Sequence, residues 1–497
     1  MCEKNYIAID LGASGGRVML GRWDGHAITL DELHRFSNDA VRVNGTLYWD
    51  ILRLLHEIKT GLAKASQHEI TAIGIDTWGV DFGLLDRRGL LLENPIHYRD
   101  SRTNGVIEEV DKLLTPRALY DETGLQRLPF NTIYQLYALK SQRPEVLDQA
   151  KSLLMLPDLL GYFLTGAMAT ESSIARTTQL LNVHTGDWSS LIFDKLGLPR
   201  ELFGEIVPSG TVLGTLLPEI QDETGLGPVP VISVCGHDTG SAVCAVPAAQ
   251  DDFAKANLYG SEFAFISSGT WSLFGTELDR PIVNDKSFSY SITNESGFGK
   301  TRFLKNITGL WLIQESRRHW NRHSYSYSYT DLERLALEAP PFARFIDPDD
   351  PAFIAHGNVP ERISAYCTKT GQTPPGSVGE TVRCIYESLA MKYRATLEKL
   401  ELCTGKRYNA LHVMGGGVKD GLLCKMTARA CGIPVLAGPA EATVLGNLLA
   451  QMIAQGEVAD LRQAREVVRG SFDLDVYGVD DGEAWREAYW RFKKVKF

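Results

Sequence analysis

Two stretches of this 497-residue chain carry residues whose types and spacing point to phosphoryl chemistry. The first is Asp10-Leu-Gly12-Ala-Ser14-Gly-Gly16-Arg17, an acid that closes the apolar run Tyr6–Asp10 and is followed by a glycine-rich turn. Mg2+ takes one or two carboxylates and fills its other positions with water and phosphate oxygens, so Asp10 is suited to place it, directly or through water. Residues as small as Ala13, Ser14, Gly15 and Gly16 let backbone N–H groups approach a phosphate, while Ser14 adds a hydroxyl and Arg17 a permanent charge. A plain glycine-rich hairpin has the same composition, and the segment taken alone divides evenly between the two readings.

The second stretch is Cys235-Gly236-His237-Asp238-Thr239-Gly240, after the apolar strand Val229–Val234 and before a small-residue helix expected at Ser241–Ala245. An acid at this place lowers the energy of a helix N-terminus whether or not it is catalytic. It is also where a carboxylate that accepts a hydroxyl proton during phosphoryl transfer would stand. Asp76-Thr-Trp78-Gly79-Val-Asp81 and His97-Tyr-Arg99-Asp100-Ser-Arg102 mix aromatic and charged side chains. A sugar needs that mixture, a ring against its C–H face and charged groups for its hydroxyls, although salt-bridged surface loops share it. Gly269-Thr270 and the triplet Gly415-Gly416-Gly417 supply two more small-residue turns, the latter bare enough for adenine or ribose to lie on backbone near a helix N-terminus. Each is weak singly; three in this order are not.

Regular elements must hold these loops. Tyr6–Asp10, Arg17–Trp23, Ile28–Phe36 and Ile70–Asp76 read as strands, and Trp49–Ala65 as a helix with Asp50 as N-cap and an apolar stripe at Ile51, Leu54, Leu55, Ile58 and Leu62. The second half repeats the opening: Phe263–Ser268, the turn Gly269-Thr270, then strand Trp271–Gly275. Two similar halves are one explanation and a chance likeness of hairpins is the other. A helix follows at Ser377–Leu402, where Ser377 and Glu380 predict a capping box, then strand Leu411–Met414, a helix near Leu422–Cys431, strand Pro434–Ala437 and a closing helix from Glu441. Pro247–Tyr259 interrupts the pattern and marks the expected domain boundary, and Ser324–Tyr329 reads as a loop or exposed strand.

Several functions are disfavoured. Acidic residues outnumber basic ones, 61 to 51, which weighs against nucleic acid or an anionic membrane as partner. No apolar run is long enough to span a bilayer and the start lacks a signal-peptide core, so a cytoplasmic location is expected. The cysteines are scattered without a C-x-x-C, as for reduced thiols, and Cys424 and Cys431 read as buried small residues. Asn294–Thr301 ends like a P-loop but begins with Asn instead of Gly, and the glycine triplet is not G-x-G-x-x-G. His319 and His323 lack the Glu of H-E-x-x-H and are expected on a solvated helix face.

In sequence order, DLGASGGR, DTWGVDF, YRDSRTNG, LPFNTIYQL, GHDTGSAV, SSGTWSLFG, LKNITGLWLIQ and VMGGG resemble the motifs of the FGGY family of carbohydrate kinases, over about residues 5–460. The resemblance implies an α/β, actin-like, ribonuclease H-like duplicated fold with an inter-domain cleft. It implies a sugar-binding domain at residues 1–247 and a nucleotide-binding domain at 248–497. It implies ATP and Mg2+ as cofactors and a ketose as substrate, nearest to L-rhamnulose phosphorylated at O1. L-fuculose, L-ribulose, L-xylulose or a non-kinase actin- or Hsp70-like nucleotide switch are the alternatives, and the oligomeric state stays open. Asp238 then resembles the general base; His237, Thr239 and Gly79 resemble sugar contacts; Trp78, Asp81 and Arg102 lie near the sugar by motif proximity. Ala13, Ser14, Gly15, Gly16 and Arg17 resemble one phosphate loop and Thr270 the other; Asn306, Gln314 and Gly416 match the nucleotide site, and Asp10 the acid that places Mg2+. Two departures stand out: about ten extra residues around Asp251–Ser261, and Val418-Lys419-Asp420 after the triplet where an amide-bearing residue is common.

Overall fold

The apolar run at Tyr6–Asp10 becomes the middle of a sheet. The computed structural model describes residues 3–248, 262–322, 326–354, 357–480 and 482–495, so the extra segment Asp251–Ser261, His323 and the start of Ser324–Tyr329 lie outside the described residues. The chain forms two compact units: Met1–Pro247 with Glu277–Phe303 and Ala442–Phe472, and Ala248–Thr276 with Leu304–Glu441 and Asp473–Phe497. The units are not contiguous stretches, because two later segments return to the first.

The first unit is built on strands β1 (Lys4–Gly12), β2 (Gly15–Trp23), β3 (Ile28–Ser37), β4 (Ile70–Thr77), β5 (Thr211–Thr215) and β6 (Pro230–Ser233), in the order β5-β6-β4-β1-β2-β3. β1 runs antiparallel to β2 and parallel to β4. Both faces of β1 are covered, so Tyr6–Leu11 are all buried, which is why this strand reads as a continuous apolar run and not as an alternation. One face packs on helix Ile51–Ala65, whose buried Ile51, Leu54, Ile58 and Leu62 follow the predicted stripe and whose N-terminus is capped by Asp50.

The second unit repeats the plan. Strands β7 (Ala264–Ser268), β8 (Trp271–Leu278), β9 (Thr301–Thr308), β10 (Leu411–Met414), β11 (Val435–Ala437) and β12 (Asp475–Tyr477) follow in the order β9-β8-β7-β10-β11-β12. Here β7 is antiparallel to β8 and parallel to β10, as β1 is to β2 and β4. β12 caps the far edge antiparallel to β11, as β5 caps β6. The repeated hairpin is therefore a structural duplication, the actin-like arrangement, and not a chance likeness.

Local differences have physical causes. Helix Val378–Thr404 is capped by Ser377, but the Glu380 carboxylate accepts from the Gly376 N–H and from Arg344 instead of completing the box. The helix after the small-residue turn starts at Asp238 and not Ser241. Helix Ala442–Ala454 does not close the chain: helices Leu461–Ser471 and Gly482–Val495 follow, with β12 between them. Ser328, at the end of the Ser/Tyr repeat, caps helix Tyr329–Glu338 with Asp331 in a reciprocal box. Cys424 is buried as expected and Cys431 half-buried.

Helix Ala442–Ala454 belongs to the first unit and lies on the other face of its sheet. It comes so close to helix Asp238–Cys244 that a Cβ added at Gly446 would stand 1.7 Å from the Ser241 carbonyl oxygen and 2.4 Å from its carbonyl carbon. The contact is backbone against backbone, with no side chain free to yield. Gly446→Ala is expected to destabilise the protein by about 3 kcal/mol or more and to displace the helix that begins with Asp238. Denaturant unfolding followed with a circular dichroism spectrum checks this; a stability within about 0.5 kcal/mol of the parent would show the contact to be looser than the structure has it.

Candidate active site

Three carboxylates converge at the C-terminal ends of the central strands of the first unit. Asp10 and Asp76 are paired in register on the parallel strands β1 and β4, and Asp10 faces Arg17 across the β1–β2 hairpin, where the guanidinium donates to its Oδ2. Asp76 is fully buried. Its Oδ2 accepts from Asn447 Nδ2 at 2.6 Å, while its Oδ1 is buried with no hydrogen-bond partner among the described residues. Burial holds the Asp76 carboxyl well above its ordinary pKa, and the charges of Asp10 and Asp238 push it further in the same direction. Among the described residues no group of three or more His, Cys, Asp or Glu forms a ready metal cage. The orphaned Asp76 oxygen beside Asp10 suits a cation that keeps most of its shell as water and phosphate, as Mg2+ does.

Asp238 is the first residue of its helix, after His237 as N-cap. Its Oδ1 accepts from the Thr239 N–H at 2.5 Å and the Thr239 hydroxyl at 3.1 Å; its Oδ2 accepts from no described residue. One third of the side chain is exposed, so this oxygen is available to a ligand. The turn before it is pinned from behind. The Thr77 N–H donates to the Gly236 carbonyl at 2.8 Å, tying the turn to the end of β4. Glu171, almost wholly buried, accepts the Gly236 N–H at 2.9 Å, the Ile174 N–H and the hydroxyls of Ser172, Ser173 and Ser209, and Ser173 in turn accepts the His237 N–H.

His237 Nδ1 stands 3.1 Å from Arg302 Nη2 and 3.3 Å from Glu295 Oε2, and Nε2 stands 3.5 Å from Asp238 Oδ1. Glu295 lies on the strand Thr293–Ser296 and Arg302 follows after the turn closed by the Gly297 N–H and the Lys300 carbonyl. This is the segment whose last residues imitate a P-loop; it is a hairpin. Neither Glu295 nor Arg302 was visible as a site residue in the sequence, since only the fold brings them to His237. The same is true of Asp76 as a charge partner and of Glu171.

Trp78 and Gly79 lie in the loop after β4, Trp78 buried and Gly79 half-buried. Val80 has φ 70°, a left-handed conformation costly for a β-branched residue, held by its N–H to Thr177 Oγ1 and its carbonyl to the Thr132 hydroxyl. Asp81 is fully buried: its Oδ2 accepts from the indoles of Trp49 at 2.6 Å and Trp78 at 2.9 Å and from the Tyr98 N–H, and its Oδ1 accepts from Gln135. Its oxygens are spent on fixing the aromatic stack Trp49–Trp78–His97, so it acts on the loop through Trp78. Arg102 donates to Gln135, behind Asp81, and is itself half-buried.

The hairpin tip Ala13-Ser14 is exposed between paired Gly12 and Gly15, with Gly15 and Gly16 packed against Phe36. In the second unit the equivalent turn Gly269-Thr270 is held by the start of helix Trp311–Arg322. The Leu310 N–H donates to the Gly269 carbonyl, those of Gly309 and Trp311 to the Thr270 carbonyl, and Thr270 Oγ1 donates to Gln314 Oε1 at 3.3 Å. Asn306 is half-buried on β9. Gly415 and Gly417 abut Ser268, whereas a Cβ at Gly416 would meet nothing within 4 Å, leaving exposed bare backbone. Val418-Lys419 continue a single 3-10 turn and Asp420 caps helix Gly421–Cys431. His319 is half-buried.

The fold is that of sugar kinases. The chain superposes on the xylulose kinase of Lactobacillus acidophilus with a TM-score of 0.80 at 18% identity, covering 99% of this chain and 97% of that one. It superposes on Plasmodium falciparum glycerol kinase with ADP with a TM-score of 0.74 at 15% identity, covering 98% and 97%. Residues 5–245 match the N-terminal domain and residues 264–455 the C-terminal domain of the FGGY family of carbohydrate kinases. The chain belongs to that family and is a carbohydrate kinase. It is 42% identical over 494 residues to a rhamnulokinase of Bacteroides thetaiotaomicron, covering 99% of both chains. It is 44% identical over 481 residues to one of Enterococcus faecalis, covering 96% of this chain and 94% of that one. Among the described residues no helix is long and apolar enough to cross a membrane.

Burial raises the Asp81 pKa to about 6, against the pull of its indole and amide donors. Between pH 4.5 and 6 the folded protein therefore keeps a proton that the unfolded chain releases, and stability from this group falls as pH rises through that window and is level above it. Asp81→Asn lacks this term. The parent minus Asp81→Asn difference in unfolding free energy is expected to be greater at pH 4.5 than at pH 7 by about 2 kcal/mol. Urea unfolding of both proteins at the two pH values reads it, and an equal difference at both would place the Asp81 proton elsewhere.

Proposed function

We propose that this chain transfers the γ-phosphoryl group of ATP to O1 of L-rhamnulose, giving L-rhamnulose 1-phosphate and ADP in the breakdown of L-rhamnose, and that it does so in the cytoplasm. The observation that carries the substrate is identity of 42% and 44% to rhamnulokinases over nearly the whole chain. Asp238 is the general base: its Oδ1 is fixed by Thr239 and its Oδ2 is left for the sugar hydroxyl. His237, Thr239 and Gly79 contact the sugar, and Trp78, set by Asp81, offers its ring edge; Arg102 supports Asp81 through Gln135 from behind. Ala13 to Arg17 and Thr270 receive the phosphates on backbone N–H groups. Asn306, Gln314 and the open backbone at Gly416 receive the nucleoside.

Asp10 and the orphaned oxygen of Asp76 support a Mg2+ position, through water at Asp10. There the ion would offset charge on the phosphate oxygens. Arg17, paired with Asp10, stabilises the transferring group electrostatically. In this reading residues 1–247 are a sugar-binding domain and residues 248–497 a nucleotide-binding domain.

A coupled ADP-release assay with MgATP across L-rhamnulose, L-fuculose, L-ribulose and L-xylulose is expected to give the highest kcat/KM with L-rhamnulose. A higher value on another ketose moves the specificity within the family, and ADP release indifferent to every sugar favours a nucleotide switch. Asp238→Ala is expected to lose about 10²–10⁴-fold in kcat while ATP affinity is kept. A variant retaining most of its turnover would remove Asp238 from the base role.

A further inference from the structure

We propose that Glu295 and Arg302 form a positioning pair that holds His237 neutral, with its proton on Nε2 towards Asp238. The catalytic value of this arrangement rests on reading Asp238 as the base; the protonation state itself does not. Arg302 is fully buried, and the side chains of Glu295 and His237 are 8% and 11% exposed. A guanidinium has donors and no acceptor, and it does not deprotonate in proteins. With Arg302 Nη2 at 3.1 Å, Nδ1 must offer its lone pair, which leaves the single proton of a neutral ring on Nε2, 3.5 Å from Asp238 Oδ1. Arg302 cannot swing away: its Nε donates to the Ser296 carbonyl at 2.9 Å and its Nη2 stands 3.1 Å from Glu295 Oε2.

The charges around His237 explain why such a pair is needed. Asp238 lies next to it on its own helix, Glu295 at Nδ1, Glu171 behind the Gly236–His237 backbone, and Asp76 across the bridge between Thr77 and His237. Asp158, whose Oδ1 accepts the Glu171 N–H, is a further carboxyl beyond it. Each anion favours a second proton on the ring. Arg302 is the guanidinium within hydrogen-bond reach of the ring that opposes them, and Arg176 bonds Ser296 on the same hairpin. An imidazolium beside Asp238 would pair with the carboxylate and weaken it as an acceptor for the sugar proton. A neutral ring with Nε2–H orients the carboxylate, or donates to a sugar oxygen, without neutralising it. Glu295 in turn compensates the buried guanidinium.

The test is ring nitrogen NMR of the full protein labelled with 15N-histidine, free of ligands, with the His237 signal identified by its loss in His237→Gln. At pH 8 the parent is expected to show Nε2 protonated and Nδ1 bare. In Arg302→Met the midpoint of ring protonation should rise by about one pH unit or more, in Arg302→Lys it should stay near the parent, and in Glu295→Gln it should fall. The acid limb of kcat/KM for the ketose should follow the same three directions, which a purely structural role for the pair would not produce. A proton on Nδ1 in the parent, or an Arg302→Met midpoint that is unmoved or lower, overturns the proposal. If Arg302→Met does not fold, the parent's tautomer and the sign of the Glu295→Gln shift decide it. If no sugar is phosphorylated at all, the kinase reading fails while the NMR result still stands on its own.

Discussion

Like charge brought together in a dry place is the constraint around which the first unit is arranged. Asp10 and Asp76 end adjacent parallel strands in register, and Asp238 begins the helix tied to the same strand end. Burial raises the cost of ionising Asp76, and the charges of Asp10 and Asp238 raise it further. Arg17 and Asn447 offset part of it, one by charge and one by a hydrogen bond. A cation beside Asp10 and Asp76 would offset the remainder.

The scaffold around this cluster works mostly through backbone. Glu171 gathers two N–H groups and three hydroxyls and thereby sets the turn before Asp238 without touching any group that would react. Asp81 does the same for the aromatic loop, where Val80 is held in a strained conformation. Both are buried anions with no cation at hydrogen-bond distance of their own oxygens among the described residues, satisfied instead by dipoles. Such networks are rigid when complete and unforgiving when one donor is removed. The loop after β4 and the turn before Asp238 are held by these networks, whereas the Ala13-Ser14 tip is exposed.

The sequence was legible where a local pattern carries the information. β1, β2 and the helix Ile51–Ala65 follow from apolar periodicity and a cap, and the pairing of β1 with β2 and of β7 with β8 follows from two like hairpins. The order of short motifs was enough to identify the family, because each loop sits at a strand end where the chemistry must be. What was not legible depends on contacts between distant residues. Nothing in the neighbourhood of Glu295 and Arg302 links them to His237, some sixty residues away. Asp81 looked like a sugar ligand because its composition is right, yet burial commits its oxygens to tryptophans. The return of Ala442–Phe472 to the first unit leaves no local mark in the sequence.

That late return has a consequence for how the protein is made. The strands bearing Asp10 and Asp76 are synthesised within the first eighty residues and Asp238 by the middle of the chain. Helix Ala442–Ala454, which supplies Asn447 to Asp76, meets β2 at Gly21 through Leu448 and crosses helix Asp238–Cys244 at Gly446, is synthesised about two hundred residues later. Until then the strands bearing Asp10 and Asp76 lack the cover that this helix gives them. A chain terminated before residue 442 carries the recognisable motifs but lacks the Asn447 amide that bonds Asp76.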